Sequence, residues 1–191
     1  MPLVSISQLI DAAKSGQLVS FPTDTVPALA TLPSCSELIF SAKQRQQDKP
    51  LILMGAGPQD LWPYVVGTTA EFTIWKDIIA QHWPGQLTLV LPASELVPRA
   101  MNPLDPHTIG IRVPAASIAR EILAHTGPLA TTSANLSGQP PLVSPQEIDR
   151  TFANTQVLNW CDSFTASGQP STVAKWMGDN WQIIRQGGIT I

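Results

Sequence analysis

Charge is scarce in this chain. Asp, Glu, Lys and Arg make up 13% of its 191 residues, about half the usual share, and 11 cations against 14 acids leave a formal net charge of −3. A protein dedicated to duplex nucleic acid takes most of its affinity from neutralising phosphates, so so few and scattered cations argue against that class. Cysteine is scarcer still. Cys35 and Cys161 cannot form a disulfide scaffold and are expected to stay reduced, as in a cytoplasmic protein. His82, His107 and His125 lie far apart with no ligand partner three or four residues on, so no zinc site is expected. No stretch approaches the roughly 18 to 20 apolar residues that span a bilayer, and no cationic leader precedes an apolar block at the N-terminus. Several common machines are missing as well: the G-x-x-x-x-G-K-[ST] phosphate loop, the G-x-G-x-x-G turn and the G-x-S-x-G elbow.

What is present is a core-forming chain, 43% hydrophobic and long enough for one ordinary domain. The 18 prolines fall mostly at the ends of apolar runs and read as punctuation. Apolar spacing predicts helices over 7–14, 36–43, 70–82 and 115–125. Short apolar runs predict strands over 18–21, 51–54, 87–91, 108–113, 129–131, 157–160, 172–176 and 181–185. Ser144-Pro145-Gln146-Glu147 carries the signature of a capping box opening another helix. Helices interleaved with strands point to an α/β fold around a mixed sheet, as a single domain over 1–191. The six tryptophans read as core and surface anchors.

Polar segments recur at predicted strand ends, where α/β folds place their sites. Pro22-Thr23-Asp24-Thr25-Val26 reads either as a self-capped turn or as a loop for a small polar ligand. Lys43, Arg45 and Lys49 offer either an anion site or a solvated helix end. Thr131-Thr132-Ser133-Ala134-Asn135 has more hydroxyls than a plain turn needs, and Arg185 precedes the Gly187-Gly188 pair. Arg112 lies inside an apolar strand and needs a partner, structural or substrate. No side chain reads as a dedicated general base.

In order along the chain, PTDTV, KQRQQDKPL, WPGQLTLVLPA, TIGIRVP, TSANLSG, PSTV and IRQGGI resemble the YrdC family, the threonylcarbamoyl-AMP synthases of tRNA modification. The resemblance runs from about Gly16 to Ile189 and implies the YrdC/RibB-like fold, an open twisted mixed sheet flanked by helices, in its short, single-domain form. It implies a reaction in which L-threonine, bicarbonate and ATP, with Mg2+ screening the phosphates, give threonylcarbamoyl-AMP and pyrophosphate. Pathway enzymes then pass the threonylcarbamoyl group to adenosine 37 of tRNA. By the same resemblance, Lys43, Arg45 and Lys49 meet the triphosphate, and Thr108, Ser133, Asn135 and Arg185 hold the nucleotide. Thr25, Arg112, Thr131 and Ser171 hold threonine, with Arg112 on its carboxylate. Two departures stand out. Pro27-Ala28 replaces an aromatic residue and glycine, and Met54 stands where some relatives have histidine. The first keeps open an alternative, a YrdC-like nucleotide- or RNA-binding protein without catalysis. Carbamoyl-transfer enzymes with a related domain carry zinc-binding cysteine pairs that this chain lacks.

Overall fold

The computed structural model describes residues 3–44, 49–160 and 166–191, which leaves Arg45 and Cys161 outside the described residues. The chain opens with helix α1 (Ile6–Lys14), begun by a complete capping box in which Ser5 and Gln8 exchange side-chain and backbone hydrogen bonds. Strands β1 (Leu18–Phe21) and β2 (Ala28–Thr31) follow, then α2 (Glu37–Lys43), β3 (Ile52–Met54) and the short α3 (Pro58–Leu61). Next come α4 (Thr69–His82), β4 (Leu87–Pro92), β5 (Thr108–Arg112), α5 (Ser117–Thr126) and β6 (Leu129–Ser133). The chain closes with α6 (Pro145–Thr151), β7 (Thr155–Val157), β8 (Thr172–Trp176) and β9 (Trp181–Arg185).

The nine strands form one mixed sheet in the order β7-β1-β2-β6-β3-β5-β4-β8-β9. The α/β expectation is met, with three differences in detail. β2 was not expected, because Ala28-Leu29-Ala30-Thr31 is buried on both faces and shows no alternation. The final part of the predicted 157–160 strand is irregular, and pairing shifts two residues earlier, to Thr155–Val157 beside β1. At Ser144 the serine half of the box forms, with its hydroxyl accepting from the Glu147 N–H at 3.2 Å.

Register decides what each face of the sheet presents, since directly paired residues share a face. On one face Val19 and Phe21 of β1 lie beside Ala30 and Ala28 of β2, and α1 and α5 cover them with Leu9, Ala13, Ile122 and Leu123. Continuing along that same face, Ala30 pairs Thr131 and Ala28 pairs Ser133. Ile52 then pairs Gly110, Val90 pairs Gly110, and Val90 pairs Lys175. The face therefore turns from apolar and helix-covered to polar and open within one sheet. The opposite face is mainly apolar, with Leu29, Leu53, Leu89, Ile111 and Ala174 packed with Ile39 of α2 and Trp75 and Ile79 of α4, and with the buried hydroxyls of Ser20, Thr31 and Thr172 among them.

Four of the six tryptophans join Phe72 in a run behind the sheet. Ring centroids are 5.5 Å apart for Trp62–Phe72, 5.0 Å for Phe72–Trp75, 6.3 Å for Trp75–Trp176 and 5.0 Å for Trp176–Trp181. The anchor reading of these residues is thereby met. Glu71 ties the run to the start of α4. It accepts from the Thr68 backbone N–H at 2.8 Å and from Trp176 Nε1 at 2.9 Å. The Thr68 backbone donor, then the Trp176 and Thr68 side chains, hold the Glu71 carboxyl below the usual glutamate value. A depressed folded pKa means a contribution present above the unfolded value and lost as pH falls through the folded one. Thermal melts should therefore show wild type losing stability below about pH 4, with that loss reduced in Glu71→Gln. Among the described residues no helix is long and apolar enough to cross a membrane.

Candidate functional site

The open half of the sheet face floors a cavity of about 540 Å³. Lys49, Thr108, Thr131, Ser133 and Arg185, all expected site residues, line it. Gly110 keeps its floor low, since a Cβ there would touch Ile52, Thr88 and Val90. Arg45 lies outside the described residues; the other expected residues stand behind this lining or around it, and each is placed by a specific set of partners.

Arg112 ends β5 and is almost fully buried. Its Nη2 pairs Asp24 Oδ2 at 2.9 Å, its Nη1 donates to Thr25 Oγ1 at 2.9 Å, and its Nε donates to the Gly85 carbonyl at 3.0 Å. Burial pushes its pKa down, Asp24 pulls it back up, and the charge of Arg185 lowers it further. The two arginines thus sense one another. Asp24 is itself fixed, since its Oδ1 accepts from the Ala115 N–H at 2.9 Å. Thr23 Oγ1 bonds Thr25 Oγ1 at 3.0 Å and donates to the Val26 carbonyl at 2.7 Å. The PTDTV segment is therefore a self-capped turn that also holds Arg112. Three of the five guanidinium N–H donors are engaged in these bonds, which leaves two for another acceptor.

Lys43 is the last residue of α2 and 1% exposed, and its ammonium donates to the carbonyls of Ser133 and Asn135 and to Asn135 Oδ1. These bonds make Lys43 a support of the loop from beneath. Asn135 is drawn into the same knot: its Oδ1 accepts from Ser133 Oγ at 2.6 Å and its Nδ2 donates to Gln139 O at 2.7 Å. The loop is latched to β2 by the Ala134 N–H on the Pro27 carbonyl at 2.8 Å.

Ser171 precedes β8 and meets Arg185, which donates from Nε at 3.0 Å and Nη2 at 2.9 Å to its carbonyl. Partial burial pushes the Arg185 pKa down. The Ser171 hydroxyl lies 2.8 Å from that of Thr88. The glycine pair explains why this corner closes. A Cβ on Gly187 would overlap the Pro170 carbonyl and the Ser171–Thr172 peptide, and one on Gly188 would overlap Gln86. Gly187→Ala should accordingly lower the melting temperature and displace Arg185, which urea unfolding and anion titration would read.

Four polar lining residues outside the singled-out polar segments were not anticipated: Thr88, Asn102, Asp105 and Lys175. Asn102 Nδ2 donates to Thr108 Oγ1 at 3.1 Å, and Thr108 Oγ1 donates to Asp105 Oδ2 at 3.0 Å. Lys175 Nζ lies 3.4 Å from that same carboxylate oxygen. Thr88 and Lys175 occupy alternate positions of otherwise apolar strands, and that alternation was the available signal. Met54 pairs Arg112 across β3 and β5 and is buried. Pro27 lines a separate cavity of about 200 Å³ with Thr25 and Trp160. Among the described residues no three His, Cys, Asp or Glu side chains gather as metal ligands. Asp24 is committed to Arg112, so the donor set does not suit a resident Mg2+.

A mixed sheet flanked by helices, whose polar and partly cationic half floors a cavity, defines an α/β protein with an open polar site. The Sua5/YciO/YrdC family profile, described under telomere recombination, matches residues 11–187. The chain belongs to this family. It is 38% identical over 183 residues to the threonylcarbamoyl-AMP synthase of Pyrococcus abyssi, covering 93% of this chain and 52% of that one. A protein of the same name from Pseudoalteromonas atlantica is 31% identical over 175 residues, covering 90% and 91%. The solved structure of P. abyssi Sua5 complexed with L-threonine superposes with a TM-score of 0.82 at 30% identity, over 96% of this chain and 54% of that one. The chain thus spans about half the length of its Pyrococcus relative.

Proposed function

We propose that this chain is an L-threonylcarbamoyladenylate synthase, a nucleotidyltransferase acting on L-threonine, bicarbonate and ATP. The observation that carries the reading is the convergence on one cavity of Lys49, Thr108, Thr131, Ser133 and Arg185, with Arg112 anchored behind. The synthase names of its relatives and the threonine held by P. abyssi Sua5 support it.

In the reaction the threonine amine attacks the carbon derived from bicarbonate, water leaves, and a carbamate forms. A carbamate oxygen then attacks the α-phosphate of ATP and pyrophosphate departs. Every species is anionic, so positioning and preorganised positive charge do most of the catalytic work. The two remaining Arg112 N–H donors address the threonine carboxylate, while Thr25, Thr131 and Ser171 fix its position. Lys49 and Arg185 bear on the phosphates together with Arg45. Thr108, positioned by Asn102 and Asp105, and Ser133, positioned by Lys43 and Asn135, hold the nucleotide. Mg2+ carried by ATP would screen the charge of its phosphates. The product serves N6-threonylcarbamoyl modification of tRNA adenosine 37, through a partner enzyme that transfers the group.

The test is a product assay with purified protein, ATP, Mg2+, L-threonine and bicarbonate, read by mass spectrometry with each substrate omitted in turn. A labile adenylate and pyrophosphate are expected only when threonine and bicarbonate are both present. ATP binding without product would instead favour a non-catalytic nucleotide-binding protein, with Pro27 as the first suspect. Pro27→Tyr should change the threonine KM less than Arg112→Ala does, because Pro27 lines the neighbouring cavity while Arg112 holds the charge. Steady-state kinetics on the two variants decides this ordering.

A further inference from the structure

A second cavity, of about 420 Å³, shares no lining residue with the first. It lies beyond the ends of β3 and β5, between α3, the last turns of α4 and α5. Its walls include Trp62, Trp83, Pro58 and Pro84, and its polar groups come from Gln59, Lys76 and Arg120. Both indoles are fixed by contacts of their own. Trp83 Nε1 donates to the Leu87 carbonyl at 2.8 Å, and Trp62 stands edge-on to Phe72.

The two cations are in a different condition. Arg120 Nε is sealed from solvent and has no acceptor among the described residues. Lys76 is exposed on α4. Arg112 by contrast has three of its donors engaged by the fold. A buried guanidinium donor without an acceptor is a costly feature for a fold to keep, and Arg120, which lines this cavity, is held less firmly than Arg112 and is free to turn its guanidinium toward an anion there. Indole side chains beside an exposed ammonium and a guanidinium with an unsatisfied Nε suit a planar ring that carries an anionic group. The volume exceeds the need of a simple aromatic acid, and the Gln59 amide offers both a donor and an acceptor to the edge of a ring.

We propose that this outer cavity binds a nucleotide unit, with its base against an indole and its phosphate on Lys76 and Arg120. Two sources share that chemistry, a free mononucleotide and one nucleotide of a single-stranded RNA. The site does not depend on the synthase reading, because none of its residues takes part in the reaction.

The experiment is calorimetric titration of the full chain with 5′-AMP and, separately, with a short single-stranded oligoribonucleotide. Wild type, Lys76→Glu, Lys76→Ala/Arg120→Ala and Arg185→Ala are compared. Expected is a binding component that the double variant weakens roughly tenfold or more and that Arg185→Ala leaves in place. Lys76→Glu changes only an exposed side chain, so its loss of binding cannot come from misfolding. Saturation by 5′-AMP identifies a free nucleotide as the source, and binding of the oligoribonucleotide alone identifies RNA. Binding that is indifferent to Lys76 and Arg120, or no binding of either probe at millimolar concentration, overturns the proposal.

Discussion

Arg112→Ala should cost about 3 to 5 kcal/mol of stability, the usual result of breaking a buried ion pair by removing one partner, and should abolish threonine-dependent turnover. The residue is 3% exposed and its partner Asp24 13%. Truncation leaves Asp24 with the Ala115 N–H and no countercharge, and frees the Gly85 carbonyl and Thr25 hydroxyl together. Stability and function separate in the double variant Arg112→Met/Asp24→Leu. Replacing a buried pair by apolar side chains of similar volume is often neutral or stabilising, so urea unfolding should recover most of the loss. Threonine affinity, measured by calorimetry, should not recover, since the carboxylate still meets no cation. Arg112→Lys should fall between, keeping the charge without the planar fork that reaches three acceptors at once. A threonine affinity unchanged in Arg112→Ala would remove Arg112 from the substrate pocket.

A share of the chain's few positive charges gathers at the main cavity. The net charge is −3, yet Lys49, Lys175 and Arg185 line the main cavity and Arg112 stands behind them. Asp105 is the acid among the described lining residues, and Lys175 and Thr108 already engage it. A low-dielectric wall behind these groups strengthens their field on a bound anion. Low overall charge and a strong local field are therefore compatible, and composition alone speaks only to the first.

Much of this was legible in the sequence. The helices at 70–82 and 115–125 and strands such as 172–176 follow from apolar spacing, and the ordered motifs place the polar loops at strand ends. What stayed hidden was pairing. Arg112 in an apolar strand announced a need for a partner, but Asp24 lies 88 positions away and becomes its neighbour only through the sheet. Lys43 looked like a free cation at a helix end, and nothing local reveals that acceptors 90 and 92 positions on would capture its ammonium. β2 escaped because both its faces are buried, which removes the alternation that marks a strand. Thr88 and Lys175 were findable, as polar residues on the alternate positions that face the cavity.

Lys43→Met should act through the loop it supports. Methionine fills similar volume and removes the ammonium, so the Ser133 and Asn135 carbonyls and Asn135 Oδ1 all lose their buried donor. Buried acceptors left unpaired cost about 1 to 3 kcal/mol each before relaxation, and a net loss of about 3 kcal/mol is expected once the loop moves to find water. That movement should loosen two marked bonds, the Ala134 N–H to Pro27 O and the Leu142 N–H to Ala134 O. Hydrogen exchange at those two amides should therefore quicken in the variant. Ser133 lines the cavity, so the ATP KM should rise roughly tenfold or more, with the threonine KM less affected because Arg112 and Thr25 are held by other bonds. A lysine that met the triphosphate directly would behave otherwise. Its loss would weaken ATP binding while leaving exchange at Ala134 and Leu142, and the unfolding midpoint, at their wild-type values. Exchange and kinetics measured on the same variant thus separate a support beneath the loop from a contact to the nucleotide.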